Sequence, residues 1–123
     1  MDSIKKNITL ERASFIVKLH EDSIFDIKLI SDVINETIDL VKKSKNKLTD
    51  IEINEYIKGL YFITYESLGA IIAHYNPKDL YTINDYNDSY MIYIERLHFC
   101  TEMLLNKDYD SIIGYTDELG SIK

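Results

Sequence analysis

Apolar positions recur at spacings of three and four along most of this 123-residue chain, the period of an α-helix with one buried face. Phe15, Ile16 and Leu19 share a face of the segment from Glu11 to His20, with Thr9 or Asn7 placed to cap its first turn. The polar run Glu21-Asp22-Ser23 predicts a break. A second helix is expected from about Ser23 to Lys43, where Ile27, Ile30, Ile34, Ile38 and Val41 form a stripe. Lys42, Lys43, Lys45 and Lys47 gather at its end, where cations complement the helix dipole.

Thr49-Asp50-Ile51-Glu52 has the form of a capping box and opens a long third helix. Ile53, Tyr56, Ile57, Leu60, Ile63, Leu68 and Ile71 mark one side of it. From Leu60 to Ala73 it is apolar nearly all round, which predicts the central, most buried helix. Gly59 and Gly69 cost about 1 kcal/mol each in helix propensity, and the gain to set against that is close approach of a neighbouring helix. Asn76-Pro77 ends the helix, because proline drives the residue before it out of helical geometry.

Residues 78–87 read as a loop. A fourth helix is expected from Asp88 or Ser89 to Asn106, with Met91, Ile94, Leu97, Thr101 and Leu104 on one side. Tyr90 to Ile94 is rich in strand formers, so a strand is the competing assignment there. A short fifth helix runs from Tyr109 to Leu119, with Gly120 as its stop. The expectation is an all-α protein: one domain over residues 1–123, an antiparallel bundle of about four long helices plus a short C-terminal helix.

Composition narrows the setting. Hydrophobic residues make up 46% and charged residues 28%, far from the signature of disorder. Twenty Ile, ten Tyr and frequent Lys and Asn suit an AT-rich bacterial or phage genome. Lys5 and Lys6 are followed by no apolar core of a secretory signal, and no stretch is long enough to cross a bilayer, so a cytoplasmic protein is expected. A lone Cys100 excludes an internal disulfide.

Charge is divided unevenly. Nine basic and eight acidic residues precede Asp50, whereas five basic and thirteen acidic residues occupy 50–123, giving +1 and −8 of the total −7. The acidic part repels nucleic-acid phosphates and anionic membranes, so neither is an expected partner. It favours encounter with a basic protein surface.

Catalytic patterns are thin. Glu95-x-x-His98 places a carboxylate and an imidazole on one helical face, as carboxylate-bridged metal bundles do, but those need a second such pair and two more glutamates. Glu66 and His20 would have to complete the set. Glu36-x-x-Asp39 and Glu52-x-x-Glu55 lack the doubled glutamate of magnesium-dependent helical pyrophosphohydrolases. Cys100 and His98 lie two residues apart and do not face each other on a helix. The four glycines are too scattered for a phosphate loop. No cofactor is expected.

The most distinctive stretch mixes Tyr81, Tyr86 and Tyr90 with Asp79, Asp85 and Asp88. Tyrosine supplies contact area with few rotatable bonds, and the carboxylates would pair with Lys or Arg on a partner. The competing role for these tyrosines is packing, with hydroxyls reaching water. These six residues are the expected partner-binding site of a small acidic, non-enzymatic protein that inhibits or neutralises a basic partner, of immunity or phage anti-defence type. Two alternatives stand beside it: a metal-dependent or hydrolytic enzyme using Glu66, Glu95 and His98, and a homodimer joined through its Tyr-rich face.

Overall fold

The computed structural model describes residues 2–44 and 47–119, with side chains for 3–44 and 47–114. Six α-helices follow one another: α1 (Asp2–Ile8), α2 (Phe15–Glu21), α3 (Ile27–Ser44), α4 (Asp50–Tyr75), α5 (Met91–Leu105) and α6 (Tyr109–Leu119). A 3-10 turn at Asp88–Tyr90 leads into α5. Among the described residues there is no strand, only an isolated bridge between Ile24 and Asn84, so the chain is all-α and the strand alternative at Tyr90–Ile94 falls away. Three helices reach 15 residues or more, and α6 has 11. Gly120, the expected stop for α6, and Lys45 lie outside the described residues, as do the side chains of Tyr115, Asp117 and Glu118.

The long helices begin and end where local chemistry requires. At the start of α4 the Thr49 hydroxyl accepts the Glu52 N–H at 3.1 Å while the Glu52 carboxylate accepts the Thr49 N–H at 3.4 Å, a complete capping box. At its end Asn76 is extended, as the residue before Pro77 must be.

The N-terminal third differs from the expected single helix over 11–20. The chain forms two short helices instead, and Leu10, at φ 55°, turns the backbone between them. Ser14 caps α2 by accepting the Val17 N–H at 3.3 Å. Asn7 is buried within α1, not exposed as a cap on its own helix, yet its Oδ1 accepts the Ile16 N–H at 2.8 Å and so satisfies a first-turn donor of α2 from a distance. The second helix also starts later than the expected Ser23. Ser23 has φ 57°, Phe25 is drawn into the core, and the Asp26 carboxylate accepts the Lys28 and Leu29 N–H groups at 3.1 Å, so Asp26 sets the boundary.

The core joins all six helices. Ile30, Val33, Ile34, Ile38 and Val41 of α3 meet Ile94, Leu97, Cys100 and Leu104 of α5, with Ile112 of α6 closing one end. On α4 the row Ile53, Tyr56, Leu60, Ile63, Ala70 and Ile71 is buried. α4, expected as the central, most buried helix, packs against α1, α2 and α5, yet Tyr61, Tyr65, Ile72 and Tyr75 are each more than half exposed along its outer face.

The two glycines of α4 have opposite surroundings. A Cβ at Gly59 would sit 2.3 Å from Ile4 Cγ2 and 3.1 Å from Ile8 Cδ1, so α1 crosses α4 there because no side chain intervenes. A Cβ at Gly69 would meet nothing within 4 Å. Gly69→Ala should therefore stabilise the isolated fold by up to about 1 kcal/mol through helix propensity. Gly59→Ala should destabilise it by about 1–3 kcal/mol, because overpacking against branched Ile4 exceeds the same propensity gain. Urea denaturation of both variants reads the sign of each change.

Asp26 links the fold to pH. Burial raises its carboxyl, but hydrogen bonds from Lys18 (2.7 Å) and the backbone of Leu29 and Lys28, with the Lys18 charge, outweigh burial and hold it below its ordinary value. A carboxyl lowered by folding adds stability that is present above the unfolded value near 3.8 and is lost as pH falls through the folded value. Asp26→Asn should melt earlier than wild type near neutral pH, and the gap should close in thermal melts taken progressively below that unfolded value.

Candidate protein-binding surface

The segment from Asn76 to Tyr90 crosses the surface between α4 and α5, pinned at many points. The Asn76 side chain accepts the Lys78 N–H at 3.0 Å, and the Asp79 carboxylate accepts the Tyr81 N–H at 2.9 Å, two local turns that set the first bend. The Tyr81 hydroxyl donates to the Leu19 carbonyl at the end of α2. Ile83 is buried, and its N–H donates to His74 Nδ1 at 2.8 Å. The Asn84 N–H donates to the Ser23 carbonyl at 2.8 Å. Asn87 then caps the 3-10 turn by accepting the Ser89 N–H at 2.9 Å.

The six expected site residues divide into two groups. Tyr81, Tyr86 and Tyr90 are half-buried and face inward. The Tyr86 ring stacks on His74 with centroids 5.2 Å apart and meets Tyr75 edge-on at 5.9 Å. Tyr90 stacks on Phe25 at 5.2 Å, and Phe25 in turn meets Phe15 edge-on at 5.0 Å. The tyrosines are thus the underside of the loop, tying it to the core. Asp79, Asp85 and Asp88 are exposed, and Asp85 holds φ 53°, a left-handed geometry that aspartate tolerates better than most residues. Asp88 accepts the Tyr75 hydroxyl, and that hydrogen bond with burial and the Asp88 charge pushes the phenol up to about 12.

Sequence reasoning missed several outward residues. Leu80, between Asp79 and Tyr81, is fully exposed at the loop's tip. Tyr61, Tyr65, Leu68, Ile72 and Tyr75 make an exposed apolar stripe on α4, beside a groove of about 260 Å³ lined by Tyr61, Thr64, Tyr65, Leu68, His98 and Thr101. The available signal was the apolar circumference of α4, which exceeds what three neighbouring helices can cover.

The residues of the catalytic alternative lie in two separate pairs. Glu66 meets His20 at 3.0 Å across α2 and α4, and His98 meets Glu102, not Glu95, at 3.5 Å along α5. Among the described residues, no three of His, Cys, Asp or Glu come together in a group able to hold a metal ion. Burial pushes the Cys100 thiol up to about 12, against the opposing charge of Arg96, so at neutral pH it is protonated and a poor nucleophile.

Among the described residues no helix is long and apolar enough to cross a membrane. No family model, curated protein or solved structure matches the chain.

The division of the tyrosines has a direct test. The Tyr86 hydroxyl is buried without a hydrogen-bond partner, whereas its ring contacts three other aromatic rings or more. Tyr86→Phe should leave stability unchanged or raise it by about 1 kcal/mol, while Tyr86→Ala should cost about 3–5 kcal/mol. Chemical denaturation of the pair distinguishes a packing role from a solvent-facing one, for which both changes would be nearly neutral.

Proposed function

We propose that the chain is a small acidic, non-enzymatic binding protein that inhibits or neutralises a partner protein through that partner's basic surface, acting in the cytoplasm. An immunity protein or a phage anti-defence inhibitor is the type that fits this description. Its scaffold in this reading is an antiparallel bundle of α3 to α6, with α1 and α2 laid against α4.

The observation that carries the proposal is the loop at Asn76–Tyr90. Three exposed carboxylates, Asp79, Asp85 and Asp88, share one loop with an exposed Leu80, on a backbone held by six or more hydrogen bonds and an aromatic underside. A preorganised loop loses little entropy on binding, so more of its contact energy appears as affinity. The carboxylates would steer and orient a Lys/Arg-rich partner, and Leu80 would enter an apolar depression on it. Nucleic acid is disfavoured at this loop, where Lys78 is the only cation.

Tagged protein should capture one basic protein from lysate of its native host at low salt and release it at high salt. Asp79→Asn with Asp85→Asn, both exposed positions, removes two charges while keeping the acceptor for the Tyr81 N–H and a residue that tolerates positive φ. It should weaken capture of that same protein by about tenfold while circular dichroism and melting stay close to wild type. Equal capture by wild type and the charge-neutralised variant would sink the reading. Changing Tyr86 or Tyr90 would be uninformative here, because both rings hold the loop in place.

A further inference from the structure

The geometry points to a second site that is independent of the acidic loop: the outer face of α4 is the contact between two copies of this chain, packed antiparallel with their α4 helices crossing at Gly69.

Four observations converge on it. First, Tyr61, Tyr65, Leu68, Ile72 and Tyr75 fall at helical spacings on one side of α4 and are all exposed. Three tyrosines of about 150–250 Å² each, more than half exposed, together with Ile72 and Leu68, present on the order of 500 Å² per copy. Two copies then remove on the order of 1,000 Å² from water, the low end for a specific contact and the range of weak, reversible association.

Second, Gly69 lies halfway along that stripe, on its flank about 80° round the helix from the stripe's axis, and is open. Its position lets two helix backbones approach closely, and Tyr65 and Ile72, four residues before it and three after, would pack beside the crossing. Gly59 shows the same device already in use, where α1 occupies the space a side chain would need.

Third, the stripe is self-complementary, as a two-fold contact requires. Its middle, from Tyr61 to Ile72, is apolar and uncharged along this face, so an antiparallel copy lays Tyr61 and Tyr65 over Ile72 and Tyr75. The ends carry opposite charges: Lys58 stands one turn before Tyr61, and Asp88 is held on the Tyr75 hydroxyl. Antiparallel pairing brings Lys58 of one copy towards Asp88 of the other; parallel pairing would bring like charges together.

Fourth, the groove beside the stripe, between Tyr65 and Leu68 of α4 and His98 and Thr101 of α5, is mostly apolar and about 260 Å³ in volume. It can receive a tyrosine or isoleucine side chain from the other copy.

Sedimentation equilibrium of the full chain across a concentration series tests the contact. The expected result is a monomer–dimer equilibrium with Kd on the order of 1–100 µM, as suits an interface of this size. Ile72→Glu, at an exposed position, should raise Kd at least tenfold with helix content and melting nearly unchanged. Gly69→Cys should form an interchain disulfide in mild oxidant, because facing residues at a close helix crossing fall within disulfide reach. Buried Cys100 supplies the background, read from the wild-type chain in the same oxidant.

A wild-type chain that stays monomeric up to about ten times the upper Kd overturns the proposal. So does a dimer that Ile72→Glu leaves intact, which places the contact elsewhere. A dimer weakened by Ile72→Glu but not trapped by Gly69→Cys overturns the crossing point. None of these outcomes bears on capture of a basic partner by Asp79 and Asp85, so the two surfaces stand or fall separately.

Discussion

A helix that is apolar around most of its circumference can be hidden only where neighbours pack on it, and the helices that pack most on α4 are α1, α2 and α5. Its inner row from Ile53 to Ile71 packs against α5, and Gly59 and the adjoining face receive α1 and α2. The remaining side is left with Tyr61, Tyr65, Leu68 and Ile72 in water. Exposed apolar residues scattered singly need no explanation, but a contiguous row of this size on one helix does. Tyrosine at three of the five stripe positions tempers the exposure, since each ring ends in a hydroxyl that water can solvate.

The same residue type serves a different purpose at the C-terminal end of α4 and in the loop that follows. Tyr75, Tyr86 and Tyr90 gather around His74 and Phe25, and the loop chain is threaded over them. His74 is central to this arrangement because its Nδ1 accepts the Ile83 N–H, which requires that nitrogen to be unprotonated and directs any ring proton to Nε2. A loop of this length without regular structure would ordinarily be costly to order. Here the order comes from side-chain acceptors on Asn76, Asp79, His74 and Asn87, each meeting a backbone donor that no helix could satisfy. The carboxylates that remain outside are therefore presented on a fixed frame.

Much of the fold was legible in the residues because its signals are local. The Thr49/Glu52 capping box, the Asn76-Pro77 stop, and the stripes of α3 and α5 act within a few residues of where they appear. The N-terminal third was not, because its boundaries depend on a contact between helices: Asn7 serves the first turn of α2, which no sequence-local rule contains. For α4 the difficulty was of another kind. A face-specific pattern tells which side is buried, and a helix apolar all round carries no such pattern, so the outward stripe could be found only from packing. In the loop, composition picked out the right segment but could not divide it. Tyrosine suits an interface and a core edge equally well, and only the ring contacts separate the inward tyrosines from the outward carboxylates.

The two surfaces also constrain each other. The stripe from Tyr61 to Tyr75 runs over four helical turns, about 21 Å at 1.5 Å per residue. The acidic loop begins directly after Tyr75, at one end of that stripe. Antiparallel pairing across Gly69 therefore sends the two loops to opposite ends of the dimer, with their carboxylates far enough apart for mutual repulsion to be largely screened at physiological salt. Parallel pairing would bring two clusters of exposed carboxylates side by side in a chain that already carries −7. Separated loops on one rigid body would also engage two basic sites at once, so that a partner with repeated or dimeric basic surfaces gains affinity from geometry without any new contact. Electrostatics thus selects the same pairing direction as the apolar stripe, and the negative charge that would oppose self-association in general permits this arrangement in particular.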